Sequence, residues 1–241
     1  MHALDIRVTP DGDEIDDIVY RISHDLRASV RALRELPVWL SEDLSEQGIR
    51  LEGEPKDTLN LMQSHAIRLD NMLDGLLAYS RVGRLQDMVK ANPQTIFNSV
   101  LAELSPGDAP RFFAQFNPVA LRIGSSDVAR IFQILLSNAL RHAGETPKIE
   151  ITSCKSGDVW ELLVSDDGPG IPDADKERVF RPMVKLVSRD EDDGGGMGLA
   201  ILRKIVENYG GSVHVEDRLR RGGVTFRLRL PVLDYSGVDM V

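Results

Sequence analysis

Apolar residues recur at Ile15, Ile18, Ile22, Leu26, Val30, Leu33, Pro37, Leu40 and Leu44, every step three or four residues long. An α-helix brings such positions onto one face, so the spacing predicts one long amphipathic helix. Pro37 removes a backbone hydrogen bond and predicts a local bend that does not end the stripe. Polar, glycine-containing Ser45 to Pro55 reads as a turn, after which Leu59, Met62, Ala66, Leu69, Leu73, Leu76 and Ser80 form a second stripe. A helical hairpin follows. Two helices cannot enclose a core, so apolar surface is left for a second copy to cover. Heptad-like spacing suits a four-helix bundle made by two chains, and a homodimer is expected.

The helical pattern stops at Gly83, and shorter segments richer in Gly and Pro begin. The expected division is a tail over 1–12, the hairpin over 13–90, a second domain over 91–232 and a C-terminal tail over 233–241. In the second domain Pro93 to Leu104, Ser126 to His142 and Met197 to Tyr209 read as helices, the last stopped by Gly210-Gly211. Lys148 to Ser153, Trp160 to Val164, Ser212 to Val215 and Thr225 to Leu230 read as strands. The fold class is therefore a helical hairpin followed by an α+β sandwich with helices on one sheet face.

With 241 residues, 42% hydrophobic and 28% charged, the chain has globular composition and room for two modest cores. No apolar run approaches the roughly 20 residues that cross a bilayer, so no membrane partner is expected. Met1-His2-Ala3-Leu4-Asp5 lacks the pattern of a secretory signal, and Cys154 alone cannot close an internal disulfide; a cytoplasmic location fits both. A formal net charge of -9 disfavours nucleic acid and anionic lipid, and Arg218, Arg220 and Arg221 read as a solvated turn.

Three clusters in the second domain carry chemistry. Gln133 to His142 puts Asn138, Arg141 and His142 within one turn of an otherwise apolar helix. A carboxamide oxygen there can ligate Mg²⁺ and a guanidinium can meet phosphate, although an asparagine in a helix is usually a surface residue. Asp166-Asp167-Gly168-Pro169-Gly170 places an acid at a strand end before a turn whose glycines let backbone approach a flat ligand. Its carboxylate can accept from an exocyclic amine such as that of adenine; the bland alternative is a plain Asp-Gly turn. Gly194-Gly195-Gly196-Met197-Gly198-Leu199 puts glycines directly before a helix, where free N–H groups and the helix dipole favour phosphate. No βαβ unit surrounds it, so it is not the dinucleotide fingerprint.

In this order the clusters resemble the nucleotide-binding boxes of the Bergerat-type ATPases, and the hairpin resembles the dimerisation and phosphotransfer domain of sensor histidine kinases. The resemblance runs from about residue 13 to 231. His24-Asp25-Leu26-Arg27 is similar to the family's phosphoacceptor box, Asn138 to its magnesium asparagine and Asp166 to Gly170 to its adenine box. Gly194 to Leu199 is similar to its phosphate box, and Val179-Phe180-Arg181-Pro182 to the phenylalanine box before its lid. The resemblance implies ATP and Mg²⁺ as cofactors, with Asn138, Arg141, His142, Asp166, Gly168, Gly170, Phe180, Gly194, Gly196, Gly198 and Leu199 around the nucleotide. It further implies autophosphorylation of His24, aided by Asp25, and transfer to an aspartate of a response regulator receiver docking near His24, Arg27, Arg31 and Arg34. Helical geometry fits: His24 points about 200° from Ile22 and Leu26, toward solvent, where an imidazole can attack a γ-phosphate.

Some positions depart from the pattern. Ile134 stands where many relatives carry a second asparagine, which implies weaker Mg-ATP binding; Ala28 has no side chain to place a water, so phosphatase activity is not implied; Ser29 replaces a common proline. Only about a dozen residues precede the hairpin, which leads to the expectation of a kinase controlled in trans by a separate sensor protein. Two other readings stay open: a histidine phosphotransfer protein with a degenerate ATPase domain, and a non-kinase ATPase or interaction module. Among the remaining histidines, His65 reads as packing, His214 as a strand residue and His2 as part of a terminus; Met183 and Met197 read as packing around the lid.

Overall fold

The computed structural model describes residues 12–83, 88–104, 111–142, 147–186, 195–218 and 222–232. The described residues group into two compact units, 12–81 with 195–197, and the remainder.

The first unit is the hairpin. Helix α1 spans Gly12–Glu46, unbroken across Pro37, and α2 spans Glu54–Arg81. Gly48, at φ +77°, lets the chain reverse after α1, with its N–H bonded to the Ser45 carbonyl and that of Ile49 to Leu44. The two helices meet along a seven-residue repeat: Ser23 and Val30 from α1 and Ala66, Leu73 and Ser80 from α2 are all buried, as is Pro37. Arg27 pairs with Asp74 at 2.9 Å and Arg34 with Asp70 at 2.8 Å across the same seam. The expected stripe thus divides. Val30 and Pro37 serve the partner helix together with Ser23, which the stripe did not include, whereas Ile18, Ile22, Leu26, Leu33 and Leu40 stay between 48% and 54% exposed.

The second unit is a two-layer sandwich. Strands β2 (Arg111–Phe116), β4 (Lys148–Ser156), β5 (Val159–Ser165), β7 (Val224–Pro231) and β6 (Ser212–Asp217) form the main sheet in that order. β2 pairs parallel with β4 and the other neighbours are antiparallel, so the sheet is mixed. Ile149, Ile151, Trp160, Leu162, Val164, Val213, Phe226, Leu228 and Leu230 are buried at alternate positions along their strands. Three helices bury the complementary layer: α3 (Pro93–Leu104), α4 (Ser125–His142) and α5 (Gly198–Asn208). The Phe97, Phe116 and Phe132 rings meet with centroids 5.1–6.1 Å apart and join α3 and α4 to the β2 edge.

Local sequence sets the helix ends. Asn92 accepts from the N–H groups of Gln94 and Thr95 ahead of α3, with Pro93 at its first position. Gly210, at φ +71°, ends α5 as its glycine pair predicts. Three strands were not expected: β1 (Met88–Ala91), β3 (Leu121–Gly124), which pairs antiparallel with it, and β2. Arg218 is a further correction: its side chain is only 7% exposed and binds Glu150 at 2.7 Å, because it closes the sheet end rather than a wet turn. Arg220 and Arg221 lie outside the described residues.

Candidate active site

On the hairpin, His24 and Asp25 are adjacent residues of α1 with side chains 67% and 82% exposed. Nδ1 of His24 stands 3.3 Å from Asp25 Oδ1. With the hydrogen on Nδ1, the imidazole donates to Asp25 and Nε2 keeps its lone pair for chemistry. His24 is therefore accessible, oriented and flanked by a proton acceptor.

The nucleotide-type cluster is built at one end of the sandwich. β5 delivers Asp166, which is only 4% exposed; its Oδ1 accepts the N–H of Gly168 at 2.9 Å. Burial pushes the Asp166 carboxyl above its ordinary range, against the opposing pull of backbone N–H groups and His142. The turn is closely packed: a Cβ on Gly168 would lie 2.8 Å from the His142 carbonyl oxygen, and one on Gly223 would lie 2.1 Å from that of Asp166. Gly170 takes φ +87°, a conformation suited to glycine. Asp167 accepts the Lys148 N–H at 2.9 Å and so fixes the other side of the turn to β4.

Helix α4 carries Asn138 and His142, both half-buried, and Arg141, which is exposed. Ile134 lies one turn before Asn138, and its Cγ2 is 3.5 Å from where a Cβ on Gly198 would stand. The face of α4 that carries Asn138 is thus directed at the start of α5, where the first N–H groups have no helical partner. Gly198 opens that helix, Leu199 is half-buried and Gly196 takes φ +67°; Gly194 lies outside the described residues. Phe180 is 3% exposed, edge-on to Phe226, with the Arg203 guanidinium 4.2 Å from its ring centroid and bonded to Glu177 at 3.0 Å. Phe180 thus anchors its segment in the core.

The donor set fits a magnesium nucleotide. No group of three His, Cys, Asp or Glu side chains that could hold a metal occurs among the described residues. Mg²⁺ carried on phosphates and water needs few protein oxygens, and the half-buried Asn138 carboxamide is one that could serve.

Residues 124–234 match the family of histidine kinase-, DNA gyrase B- and HSP90-like ATPases. The sensor histidine kinase CpxA of Escherichia coli is 30% identical over 234 residues, 89% of this chain and 46% of CpxA. The chain thus carries an ATPase domain of the histidine kinase type and is similar to the sensor histidine kinases over most of its length. Another relative of the family, the phytochrome-like protein Cph1 of Synechocystis, is 27% identical over 232 residues, 91% of this chain and 29% of Cph1. The fold of full-length ShkA, solved in complex with AMPPNP, matches 90% of this chain and 46% of that one with a TM-score of 0.65 at 18% identity. The chain therefore spans less than half the length of each of these. Among the described residues no helix is long and apolar enough to cross a membrane.

Several side chains fall elsewhere than the sequence suggests. His65 is exposed and bonds Arg68 at 2.9 Å, so it is no packing residue. Met183 is 51% exposed at φ +61°, whereas Met197 is buried at 3%. Of the three arginines expected to be exposed near the docking face, Arg31 and Arg34 are exposed and Arg27 is half-buried; Arg27 and Arg34 are also held in interhelical ion pairs. Sequence reasoning passed over Tyr20, four residues before His24, although that spacing alone places it beside the imidazole. It also passed over Gly223, which supports the acid turn from the position just before β7, more than fifty residues away.

Proposed function

We propose that the chain is an ATP-dependent histidine autokinase that phosphorylates His24 and passes the phosphoryl group to an aspartate of a response regulator receiver. The observation that carries this reading is the exposed His24 with Nδ1 against Asp25, which leaves Nε2 available. In the forward step Nε2 attacks the γ-phosphorus, the bond to the β–γ bridging oxygen breaks, and ADP leaves; Asp25 holds the proton on Nδ1 as positive charge develops on the ring.

Asp166 would accept the exocyclic amine of the base, Gly168 and Gly170 would let the turn lie flat on it, and the N–H groups at Gly198 would meet phosphate. Arg141 and His142 lie at the end of α4, near the acid turn, as supporting residues. Bound Mg²⁺ would neutralise phosphate charge, with Asn138 as its protein ligand. The hairpin over 13–90 would be the dimerisation and phosphotransfer domain and 91–232 the ATP-binding domain. The exposed row Ile18, Ile22, Leu26, Leu33 and Leu40 supports a homodimer closing a four-helix bundle.

Ile134 favours a second reading, a phosphotransfer protein with a degenerate ATPase domain, because it puts a methyl group where a polar ligand would aid Mg-ATP. Labelled Mg-ATP offered to the wild type, His24→Ala and Asn138→Ala separates the readings. Label on the wild type that is lost in both variants supports the kinase. Wild type that takes no label from ATP but accepts phosphate from a phosphorylated receiver supports the second reading, and ATP hydrolysis without label supports a non-kinase ATPase.

A further inference from the structure

We propose that Tyr20 is a positioning residue for His24, itself held in place by Arg81. The inference rests on His24 being the phosphoacceptor and adds to that reading a named support for its ring.

Tyr20 lies four residues before His24 on α1, so the two side chains are neighbours on one helix face. Their ring centroids are 6.4 Å apart with 28° between planes, a stacked arrangement. Arg81, the last residue of α2, reaches across the hairpin: its guanidinium carbon lies 5.1 Å from the Tyr20 ring centroid, and Nη2 donates to the Tyr20 hydroxyl at 3.4 Å. Tyr20 is thus gripped from the second helix on its ring and at its phenol oxygen.

The consequence for His24 is conformational. An exposed histidine on a helix samples several staggered rotamers and two-fold ring orientations. Here Asp25 engages Nδ1 and Tyr20 occupies one flank of the ring. The first contact leaves the ring's other nitrogen, Nε2, for in-line attack, and the second restricts how the ring can turn. Because Arg81 ends α2, the grip also ties the acceptor ring to the helix end from which the chain runs on to β1.

The test uses the full chain. Tyr20→Leu keeps apolar bulk but removes the ring, Tyr20→Phe keeps the ring without the hydroxyl, and Arg81→Gln removes the cation. Tyr20→Leu is expected to lower kcat for His24 phosphorylation by about tenfold while KM for ATP stays within about twofold, since orientation and not nucleotide binding is lost. Tyr20→Phe is expected to recover most of that loss.

Phosphoramidate serves as a small donor that bypasses the ATPase domain: the Nε2–phosphorus bond forms, the donor's phosphorus–nitrogen bond breaks and ammonia leaves. The Leu variant should be slowed with this donor too. In NMR spectra the His24 ring signals should move in both Tyr20→Leu and Arg81→Gln, the second variant serving should the first disturb the hairpin. Unchanged kcat in Tyr20→Leu, a loss lying wholly in KM, or His24 signals that move in neither variant would overturn the inference and leave the kinase reading standing. A wild type unlabelled at His24 by both donors overturns the kinase reading itself, and this inference with it.

Discussion

The hydroxyl of Tyr209 donates to Asp127 at 2.7 Å while accepting the N–H of Gly124 at 3.1 Å, tying the end of α5 to the start of α4. Asp127 is 3% exposed, so a lost donor there cannot simply be replaced by bulk water. Burial and the Asp127 carboxylate push the phenol from its ordinary value up to about 12. A phenol whose value is raised by folding stabilises the protonated, folded form. Its contribution is complete below about pH 10 and is lost as pH rises through about 12. Following phenolate absorbance, one of the four tyrosines should titrate last, and that late phase should vanish in Tyr209→Phe. The same variant should lose about 1–2 kcal/mol in chemical denaturation at neutral pH.

Gly223 admits no side chain. Its φ is +86°, and an added Cβ would sit 2.1 Å from the Asp166 carbonyl oxygen. Gly223→Ala must therefore displace either the β6–β7 connection or the acid turn, and should destabilise the second unit by more than about 2 kcal/mol. Gly157 has a similar φ of +58° but nothing within 4 Å of its Cβ position, so Gly157→Ala should cost about 1 kcal/mol. Urea denaturation of the two variants side by side checks the difference; equal losses would show that Gly223 acts through backbone conformation alone.

At Asp166 stability and function pull apart. Folding raises this carboxyl's value, so its favourable contribution is present at low pH and is lost as pH rises through the raised value. At neutral pH the buried charge opposes folding. Asp166→Asn keeps an oxygen for the Gly168 N–H and removes the charge, so Tm at neutral pH should rise, with the gain shrinking toward acid. If Asp166 accepts from the base as proposed, affinity for ATP should fall by about tenfold or more, because a charged acceptor is replaced by a neutral amide. Calorimetric titration with nucleotide, paired with melts at several pH values, reads both effects.

What the sequence reveals here depends on the range of the interaction. The long helices announce themselves through periodicity, and α5 through the glycines at both its ends. β1 and β3 have four residues each, too few for an alternating pattern, and pair with each other across thirty or more residues. β2 is an edge strand whose Phe113 is 58% exposed, so its pattern does not alternate like a half-buried strand. Asp166, Gly168 and Gly170 are contiguous and readable. Gly223 is not, because its role exists only once β5 and β7 are paired. A similar limit governs α1, where spacing marks apolar positions without saying which partner covers which row.

The exposed row of α1 yields the last prediction. Leu26 and Leu33 are each 48% exposed and lie off the seam with α2, seven residues apart on one face. If two chains close a four-helix bundle, each leucine is buried in both copies of a two-fold interface, so one substitution counts twice. Burying a leucine contributes about 1.5–3 kcal/mol, and partial burial in the single chain lowers that figure. Leu33→Asp should therefore weaken dimerisation by roughly 3 kcal/mol, about a hundredfold in Kd, before any penalty for a buried charge. Arg31→Ala, an exposed neighbour without such a burden, should leave association within about threefold. Sedimentation velocity over a concentration series distinguishes the outcomes: a Leu33→Asp chain that remains dimeric alongside the wild type would rule out this row as the interface and require another surface to cover it.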